Sequence, residues 1–311
     1  MKKISIVLPC FNEEDNVDPL YAAITQAISD VQGYQFEFIF IDNASTDRTV
    51  DKVKGLIKTD NRVRLIVNAR NFGHIRSPYH GLLQARGDAA ILMASDLQDP
   101  PSLIKGFLEA WEGGYKVVAG VKTTSEESSL LFFIRKTYYS LVSRIAETKL
   151  ISNFTGFGLY DRKVLDILRK LDDPYPYLRG LIFEIGFDVG TVEYNQPRRS
   201  RGITKNNFYT LYDIAMLGIT SHSKVPLRLA VFGGFAMSAL SLLLAFMYLV
   251  LKLLFWDSFL LGTAPLLIGM FFFFSVQLFF MGLLGEYVGN MYTQVLRRPL
   301  VVERERINFD D

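Results

Sequence analysis

The chain has 311 residues, which is enough for about two domains of ordinary size. Its formal net charge is only +2, from 34 basic and 32 acidic residues. This balance indicates neither a nucleic-acid partner nor a disordered acidic tail. Half of the residues are hydrophobic and 21% are charged, and the apolar excess lies mainly after residue 226. The sequence therefore predicts a polar N-terminal part followed by an apolar C-terminal part.

Motifs of several other enzyme classes are missing. The single cysteine, Cys10, excludes an internal disulfide and a CxxC site, and its place after an apolar run predicts a buried thiol. The three histidines lack metal-ligand spacing, and neither HExxH nor GxSxG occurs. The apolar run after Lys2 and Lys3 ends at Pro9 and is too short for a signal peptide, so we expect the first strand of a cytoplasmic domain.

Short apolar runs alternate with helical patterns over the first 120 residues. The runs are nearly continuous, as is typical of buried parallel strands, and they cover residues 4–8, 36–41, 63–67, 89–93 and 117–119. The helical patterns between them lie near residues 15–30, 47–58, 76–86 and 101–112. Alternation of this kind predicts an α/β fold with a doubly wound, mostly parallel sheet.

Polar clusters follow the first, second and fourth apolar runs, at residues 12–14, 42–47 and 95–99. Ligands of such sheets bind beyond the carboxyl ends of the strands. Neither GxGxxG nor GxxxxGK[ST] occurs, whereas carboxylates and amides suit a divalent cation that bridges a diphosphate. The alternative for Asp42 and Asp96 is an ordinary turn or cap residue, and Asp47 is expected to cap the following helix.

Two uncharged runs, at residues 229–251 and 258–285, exceed the roughly 20 residues that cross a membrane as a helix. Lys252 and Asp257 bracket the short link between them, so a helical hairpin is expected. The basic residues outside the runs place both termini in the cytoplasm by the positive-inside bias. These are Lys224, Arg228, Arg297, Arg298, Arg304 and Arg306. The alternative is a pair of helices buried in a soluble core.

An amphipathic helix is expected just before the first apolar run, at residues 206–226. Its apolar side chains share one face and suit the membrane interface; they are Phe208, Leu211, Tyr212, Ala215, Met216 and Ile219. A second apolar stripe lies in residues 131–145, with basic residues off the stripe. This segment fits either a helix resting on a bilayer or an ordinary helix that faces the core.

Several short motifs together resemble one known family. Residues 6–14 and 41–49 look like the first two motifs of the inverting GT-A glycosyltransferases of family 2. Further motifs along the chain resemble the branch of this family that acts on polyprenyl phosphates. That branch includes dolichol-phosphate mannose synthase and the bactoprenol glucosyltransferases that modify O-antigen. The residues that carry this second resemblance are 70–73, 87–88, 93–101, 179–181 and 199–205, together with the two apolar runs.

The resemblance implies a reaction, a set of donor-binding residues and a domain plan. A sugar from a nucleoside-diphosphate sugar, with UDP-glucose as the family-level expectation, passes with inversion to undecaprenyl phosphate for cell-surface glycan modification. Residues expected to bind the donor are Pro9, Asn12, Glu13, Asp42 and Asp96, and Asp96 as the catalytic residue holds Mg²⁺ or Mn²⁺ with Gln98. The expected units are a GT-A domain at 1–205, a juxtamembrane helix at 206–226, two spans within 227–288 and a cytoplasmic tail at 289–311.

The resemblance also implies an acceptor region and partners. The acceptor phosphate is expected to meet Arg199, Arg201, Thr204 and Lys205, and Asn153 and Thr155 belong to an expected acceptor loop. Arginine offers a planar fork of donors to a phosphate and lysine a point charge. The alternative for this basic run is attraction to anionic lipids. Implied partners are the inner membrane, a flippase, a downstream glycosyltransferase and further copies of the chain.

The sequence departs from the family pattern at three places. Ala94 stands in place of the first aspartate of an Asp-x-Asp pair, and Asn43 stands where a second aspartate is frequent. In the 153–162 loop, Asn153 and Gly156 replace carboxylates and Gly158 replaces an arginine, so no catalytic base is expected there. Two alternatives stay open: a processive polysaccharide synthase, which lacks support because no QxxRW motif occurs, and a non-catalytic membrane scaffold subunit.

Overall fold

The computed structural model describes residues 1–124, 151, 153–197, 216–217, 220, 225–255 and 263–309. Its centre is an eight-stranded sheet with the strand order β7-β5-β6-β4-β1-β2-β3-β8. The strands are β1 Lys2–Cys10, β2 Tyr34–Asp42, β3 Val63–Asn68, β4 Ala89–Leu92, β5 Val117–Thr124, β6 Phe154–Asp161, β7 Val189–Asn195 and β8 Glu303–Ile307. The first five correspond to the five apolar runs that the sequence analysis identifies.

Helices cover both faces of the sheet. Within the described residues they are α1 Val17–Ile28, α2 Thr49–Thr59, α3 Gly73–Leu83, α4 Leu103–Glu112, α5 Arg162–Leu171, α6 Leu178–Glu184, α7 Val225–Leu254 and α8 Thr263–Val295. Helices α1, α2 and α4 pack on one face, against side chains such as Ile6 of β1. Helices α3, α5 and α6 pack on the other face, against side chains such as Val7. This arrangement confirms the doubly wound α/β fold.

The strand directions bring the polar loops of the sequence to one edge. Strand β1 pairs in parallel with β2 and β4, and β2 pairs in parallel with β3. Cys10 lies opposite Asp42, so β1 and β2 end together. Strand β6 runs antiparallel to both β4 and β5, and β7 is parallel to β5. The sheet is therefore mixed, with a parallel part that carries the three polar loops.

The chain returns to this sheet at its C-terminal end. Strand β8 pairs antiparallel with β3, and the amide of Ala69 donates to the carbonyl of Val302 at 2.8 Å. Lys54 and Glu305 form an ion pair at 2.7 Å, and Nε2 of His80 lies 2.7 Å from Glu303. Residues 289–311, expected as a tail, thus contain the last turns of α8 and an edge strand of the sheet.

Helices α7 and α8 are the longest and most apolar of the described helices. They have 30 and 33 residues and contain stretches of 20 and 27 residues that are long and apolar enough to cross a membrane. Almost none of these stretches is buried, so a pair of helices inside a soluble core does not describe this structure. Strand β8, which follows α8, pairs with the sheet that precedes α7.

Two sequence expectations fall on residues that the structure does not describe. One is the amphipathic stripe at 131–145. The other is most of the interfacial helix at 206–226, of which Met216, Leu217 and Thr220 are described as helical and residues 225–226 begin α7.

Gly158, in the centre of β6, predicts a measurable stability effect. A Cβ added there would overlap the carbonyl oxygen of Val118 in β5 and lie 3.3 Å from the Cα atom of Ala119. Because backbone in a paired strand cannot give way easily, we expect Gly158→Ala to lower the free energy of unfolding by about 1–3 kcal/mol. The measurement is thermal or denaturant unfolding of the full chain purified in detergent.

Gly55→Ala is the matched control for this substitution. Gly55 lies in α2 with no atom within 4 Å of an added Cβ, so the same substitution is expected to stabilise the helix by about 0.5–1 kcal/mol. Equal stability of the Gly158→Ala variant and the wild type would contradict the packing described here.

Candidate functional site

A cavity of about 550 Å³ opens at the carboxyl ends of β1 and β4. Its walls come from the loops that follow β1 and β4, the first turns of α3, the start of β6 and the segment that leads into α6. The cavity therefore lies at the sheet edge where the sequence predicts ligand binding. Of the residues predicted to bind substrate or metal, those that line it are Pro9, Glu13, Asp96, Gln98 and Thr155.

The loops at this edge contain unusual backbone conformations. Asn12, Ala44 and Leu97 follow β1, β2 and β4, and they have positive φ angles of 56°, 61° and 61°. Residues other than glycine rarely adopt this region, and such positions cluster at functional sites. The three loops are thus held in conformations that their surroundings must stabilise.

Asn12 and Asp42 supply part of that stabilisation. The amide of Asn12 donates to Oγ of Ser45 at 2.9 Å, and its side-chain oxygen accepts from the amide of Thr46 at 2.8 Å. Asp42 accepts from the amide of Ser45 at 2.9 Å and from its hydroxyl. Burial raises the pKa of the Asp42 carboxyl above its ordinary value. Neither Asn12 nor Asp42 is among the described residues that line the cavity. Both stabilise the loops after β1 and β2 through hydrogen bonds.

Asn43 has a structural role that an aspartate could not fill. Its side-chain amide donates to Oδ1 of Asn71 at 2.9 Å and to the carbonyl of Gly73 at 3.1 Å. Its oxygen accepts from the amide of Phe72 at 2.9 Å. A carboxylate could not donate these hydrogen bonds. The asparagine that stands here in place of the family's aspartate therefore holds the segment that begins α3.

The loop after β4 is held from beneath by Asp99. This carboxyl is 6% exposed, and it accepts from the amide of Ala94 at 2.9 Å and from the hydroxyl of Tyr194 at 3.1 Å. Burial raises the pKa of Asp99 to about 6. The sequence analysis places Asp99 in a polar cluster but gives it no role. It positions the loop from which Asp96 and Gln98 reach the cavity.

Asp96 and Gln98 fit a metal ion that is shared with a substrate. Asp96 accepts from the amide of Gln98 at 3.2 Å, and both residues line the cavity. Within the described part of the chain, no group of three or more His, Cys, Asp or Glu side chains could hold a metal ion by itself. Mg²⁺ is commonly bound by one or two carboxylates and completes its shell with water and phosphate oxygens. The donor set therefore suits an ion that arrives with a diphosphate.

Three groups in the cavity had no individual role assigned from the sequence, although Arg179 belongs to the 179–181 part of the family resemblance. The cavity is also lined by Lys122 of β5, His74 of α3 and Arg179 of α6. Lys122 and Arg179 carry charges opposite to those of Glu13 and Asp96. Desolvation by the cavity walls and repulsion from Arg179 lower the pKa of His74. A neutral histidine beside an arginine leaves a positively charged side of the cavity. The sequence offered only indirect signals, since these three residues are far apart along the chain.

Two further expectations concern residues at the margin of the cavity. Cys10 is buried, as expected, with its sulfur 3.2 Å from Oγ of Ser95, and burial raises the pKa of its thiol. Asn153 lies two residues before Thr155 and is not among the described residues that line the cavity. Its carbonyl accepts a hydrogen bond from the amide of Lys122 at 3.4 Å.

The predicted acceptor-phosphate residues lie outside the described part of the chain. They are Arg199, Arg201, Thr204 and Lys205.

Comparison with known proteins gives relatives along nearly the whole chain. The uncharacterized glycosyltransferase YkcC of Bacillus subtilis is 34% identical over 310 residues, which cover 99% of this chain and 95% of that protein. The SfII prophage-derived bactoprenol glucosyl transferase of Shigella flexneri is 32% identical over 300 residues, which cover 96% of each chain. The chain also resembles the bactoprenol glucosyl transferase of Shigella phage SfV, with 32% identity over 308 residues.

A solved structure shares the fold over 70% of this chain. It is glucosyl-3-phosphoglycerate synthase from Mycobacterium tuberculosis, in complex with Mn²⁺, uridine diphosphate and phosphoglyceric acid. The TM-score is 0.50 at 17% identity, over 70% of this chain and 76% of that one. The model of "Glycosyl transferase family 2" matches residues 5–168. With this match and these relatives, the chain belongs to glycosyl transferase family 2 and is a glycosyltransferase.

Proposed function

We propose that the chain transfers a hexose from a nucleoside-diphosphate sugar to the phosphate of a membrane polyprenol, with inversion at the anomeric carbon. The donor is UDP-glucose and the acceptor undecaprenyl phosphate. The proposal is carried by one combination of features. The chain has a cavity lined by acidic and basic residues, and its two membrane-length helices are followed by a strand that pairs with the same sheet. The Shigella relatives, named bactoprenol glucosyl transferases, support the same substrate class.

The cavity lies close to the end of a membrane-length helix. Nε2 of Gln294, one residue before the end of α8, donates to Oδ1 of Asp173 at 2.9 Å. Asp173 lies three residues before the segment 176–179, which forms one wall of the cavity. A lipid whose chain lies in the bilayer beside α8 can therefore present its phosphate to this wall.

The residues at the sheet edge would hold the donor. Pro9 and Glu13 offer a surface for the nucleotide, and Asp96 with Gln98 would hold Mg²⁺ or Mn²⁺ against the diphosphate. When bound, such an ion stabilises the negative charge that develops on the leaving diphosphate. Asp99 keeps the loop in place, since it binds the amide of Ala94 from below.

The transfer itself is a single displacement. An oxygen of the acceptor phosphate forms a bond to the anomeric carbon, and the bond from that carbon to the diphosphate oxygen breaks, so the nucleoside diphosphate leaves with the electron pair. A phosphate is already an anion, and it needs a general base less than a sugar hydroxyl does. This explains why the 153–162 loop can carry Asn153 and Gly156 in place of carboxylates.

The orientation follows from charge. Basic residues flank the helix pair on the side of the sheet, as Arg228, Arg297 and Arg298 do, and basic flanks favour the cytoplasmic side. The product would then form in the inner leaflet of the cytoplasmic membrane, from which a flippase and a downstream glycosyltransferase would take it.

A lipid-extraction assay tests the proposed function. Membranes that contain the chain are incubated with radiolabelled UDP-glucose, undecaprenyl phosphate and Mg²⁺ or Mn²⁺, followed by extraction into organic solvent. We expect label in the lipid fraction and equimolar release of the nucleoside diphosphate. Label in insoluble polymer would indicate a processive synthase instead. No transfer from any member of a panel of sugar nucleotides would indicate a non-catalytic subunit.

Asp96→Asn is expected to reduce transfer by about a hundredfold or more, because an amide binds a divalent cation more weakly and several kcal/mol of charge stabilisation are lost. A chelator should abolish wild-type transfer, and Mg²⁺ or Mn²⁺ should restore it. The control Asp51→Asn removes the same charge from the exposed surface of α2 and should transfer at the wild-type rate. Full activity of Asp96→Asn at saturating metal would refute the ligand assignment.

Arg199→Ala and Lys205→Ala are expected to weaken use of the acceptor more than hydrolysis of the donor, because their charges would meet the acceptor phosphate. The measurement compares KM for undecaprenyl phosphate with the rate of donor hydrolysis in its absence. Equal impairment of acceptor use and of donor hydrolysis would show that these residues do not bind the acceptor phosphate specifically.

A further inference from the structure

Arg179 is a cation without a protein partner in the described structure. Its side chain lines the cavity, and no described residue accepts a hydrogen bond from its guanidinium or forms an ion pair with it. A guanidinium carries five N–H donors and stays charged at any ordinary pH. Leaving such a group partly buried and unpaired costs free energy. The position therefore calls for an anion.

Other arginines near this cavity are anchored. Arg76 of α3 donates to the carbonyl of Pro174 at 3.1 Å and lies over the ring of Tyr175. Arg169 of α5 donates to the carbonyl of Leu83 at 2.9 Å. These contacts hold helices together. Arg179 differs from them because its donors face a cavity rather than backbone carbonyls.

His74 lies within electrostatic reach of Arg179. Its ring also lines the cavity, and no described residue forms a hydrogen bond with it. The positive charge of Arg179, after desolvation, lowers the pKa of His74, so the ring is mainly neutral near pH 7. A neutral imidazole has one N–H to donate. The two side chains together offer a charged fork and a neutral donor to the same ligand.

Two of the three carboxylates in the described wall of the cavity, those of Glu13 and Asp99, accept hydrogen bonds from neighbouring residues. Glu13 accepts from the side-chain amide of Asn16 at 2.5 Å. Asp99 accepts from Ala94 and Tyr194. The third, Asp96, accepts from the amide of Gln98 at 3.2 Å and belongs to the loop proposed to hold the metal, so the anion expected at Arg179 comes from a substrate.

We propose that Arg179, with His74 beside it, binds the phosphate of the lipid acceptor. The inference rests on the proposed function and adds a binding residue in the described wall of the cavity. Its location selects the acceptor over the donor diphosphate. Arg179 belongs to α6, and the segment before α6 is joined to α8 through the hydrogen bond from Gln294 to Asp173, whereas Asp96 and Gln98 lie on the loop after β4.

The choice of arginine fits a terminal phosphate. A guanidinium can donate two parallel hydrogen bonds to two phosphate oxygens, which fixes the orientation of the third oxygen as well as supplying charge. Lysine provides a point charge without this geometry. An oriented phosphate is useful here, because one of its oxygens must be aligned with the anomeric carbon.

The test uses the full chain in detergent micelles with UDP-glucose and undecaprenyl phosphate. We expect Arg179→Gln to raise KM for undecaprenyl phosphate about tenfold or more, since hydrogen bonds to charged groups are lost. KM for UDP-glucose and the rate of donor hydrolysis without acceptor should stay within about twofold. Arg179→Lys should give a smaller rise in acceptor KM, because it keeps the charge and loses the fork.

Arg62→Gln is the matched control. Arg62 pairs with Asp60 at 2.8 Å and directly precedes β3, at the edge of the sheet opposite the cavity. Its loss removes one positive charge without touching a cavity wall, so both KM values should match those of the wild type. Thermal unfolding of all variants checks that each is folded.

Two kinetic outcomes would overturn the inference. A rise in KM for UDP-glucose with unchanged acceptor KM would place Arg179 on the donor diphosphate. Unchanged values for both substrates would show that it binds neither phosphate. Should the wild type label no lipid at all, the proposed function fails, and calorimetric titration with undecaprenyl phosphate then tests Arg179 directly. Equal affinity of the wild type and Arg179→Gln in that titration would overturn the inference by itself.

Discussion

The common end point of β1, β2 and β4 is the constraint on which the site depends. The parallel register places Cys10 opposite Asp42 and Val7 opposite Leu92, so three loops from distant parts of the chain meet at one edge. Their backbones are strained, and buried carboxylates hold them by accepting from loop amides and hydroxyls. Burial of a charged group is costly, and these hydrogen bonds offset that cost. The rigid loops thus place Glu13 and Asp96 in the wall of the cavity.

Most of this edge could be predicted from the sequence, and the far end of the sheet could not. Strands β1 to β5 are apolar runs between helical patterns, and burial on both faces makes such runs visible. Strand β8, Glu303–Ile307, reads Glu-Arg-Glu-Arg-Ile and none of its residues is buried. Its pairing depends on the backbone of β3 and on partners such as Lys54 and His80. No local pattern encodes a partner more than 200 residues away.

Within the site, the residue types indicated where the functional groups lie. The role of each residue depends on the direction of its side chain, which the sequence does not give. Asp42 and Asp96 both follow strands and both have turn chemistry in their surroundings. Asp96 lines the cavity, whereas Asp42 binds Ser45. The sequence cannot separate a carboxylate that faces a ligand from one that holds a backbone amide, because the two differ only in three-dimensional context. The role proposed for Arg179, which belongs to the 179–181 motif, could not be predicted for a related reason. It depends on the proximity of His74, which lies about a hundred residues away along the chain.

Two tethers join the helix pair to the glycosyltransferase domain, and together they address the central difficulty of the proposed reaction. One substrate diffuses in water and the other is confined to a bilayer, so the cavity must stay open toward the membrane. A single linker would let the domain rotate away. Here β8 fixes the chain to the β3 edge after α8, and the Gln294–Asp173 hydrogen bond fixes the end of α8 beside a cavity wall. Each tether removes rotational freedom before either substrate binds, and lost freedom of that kind lowers the entropic cost of bringing two reactants together.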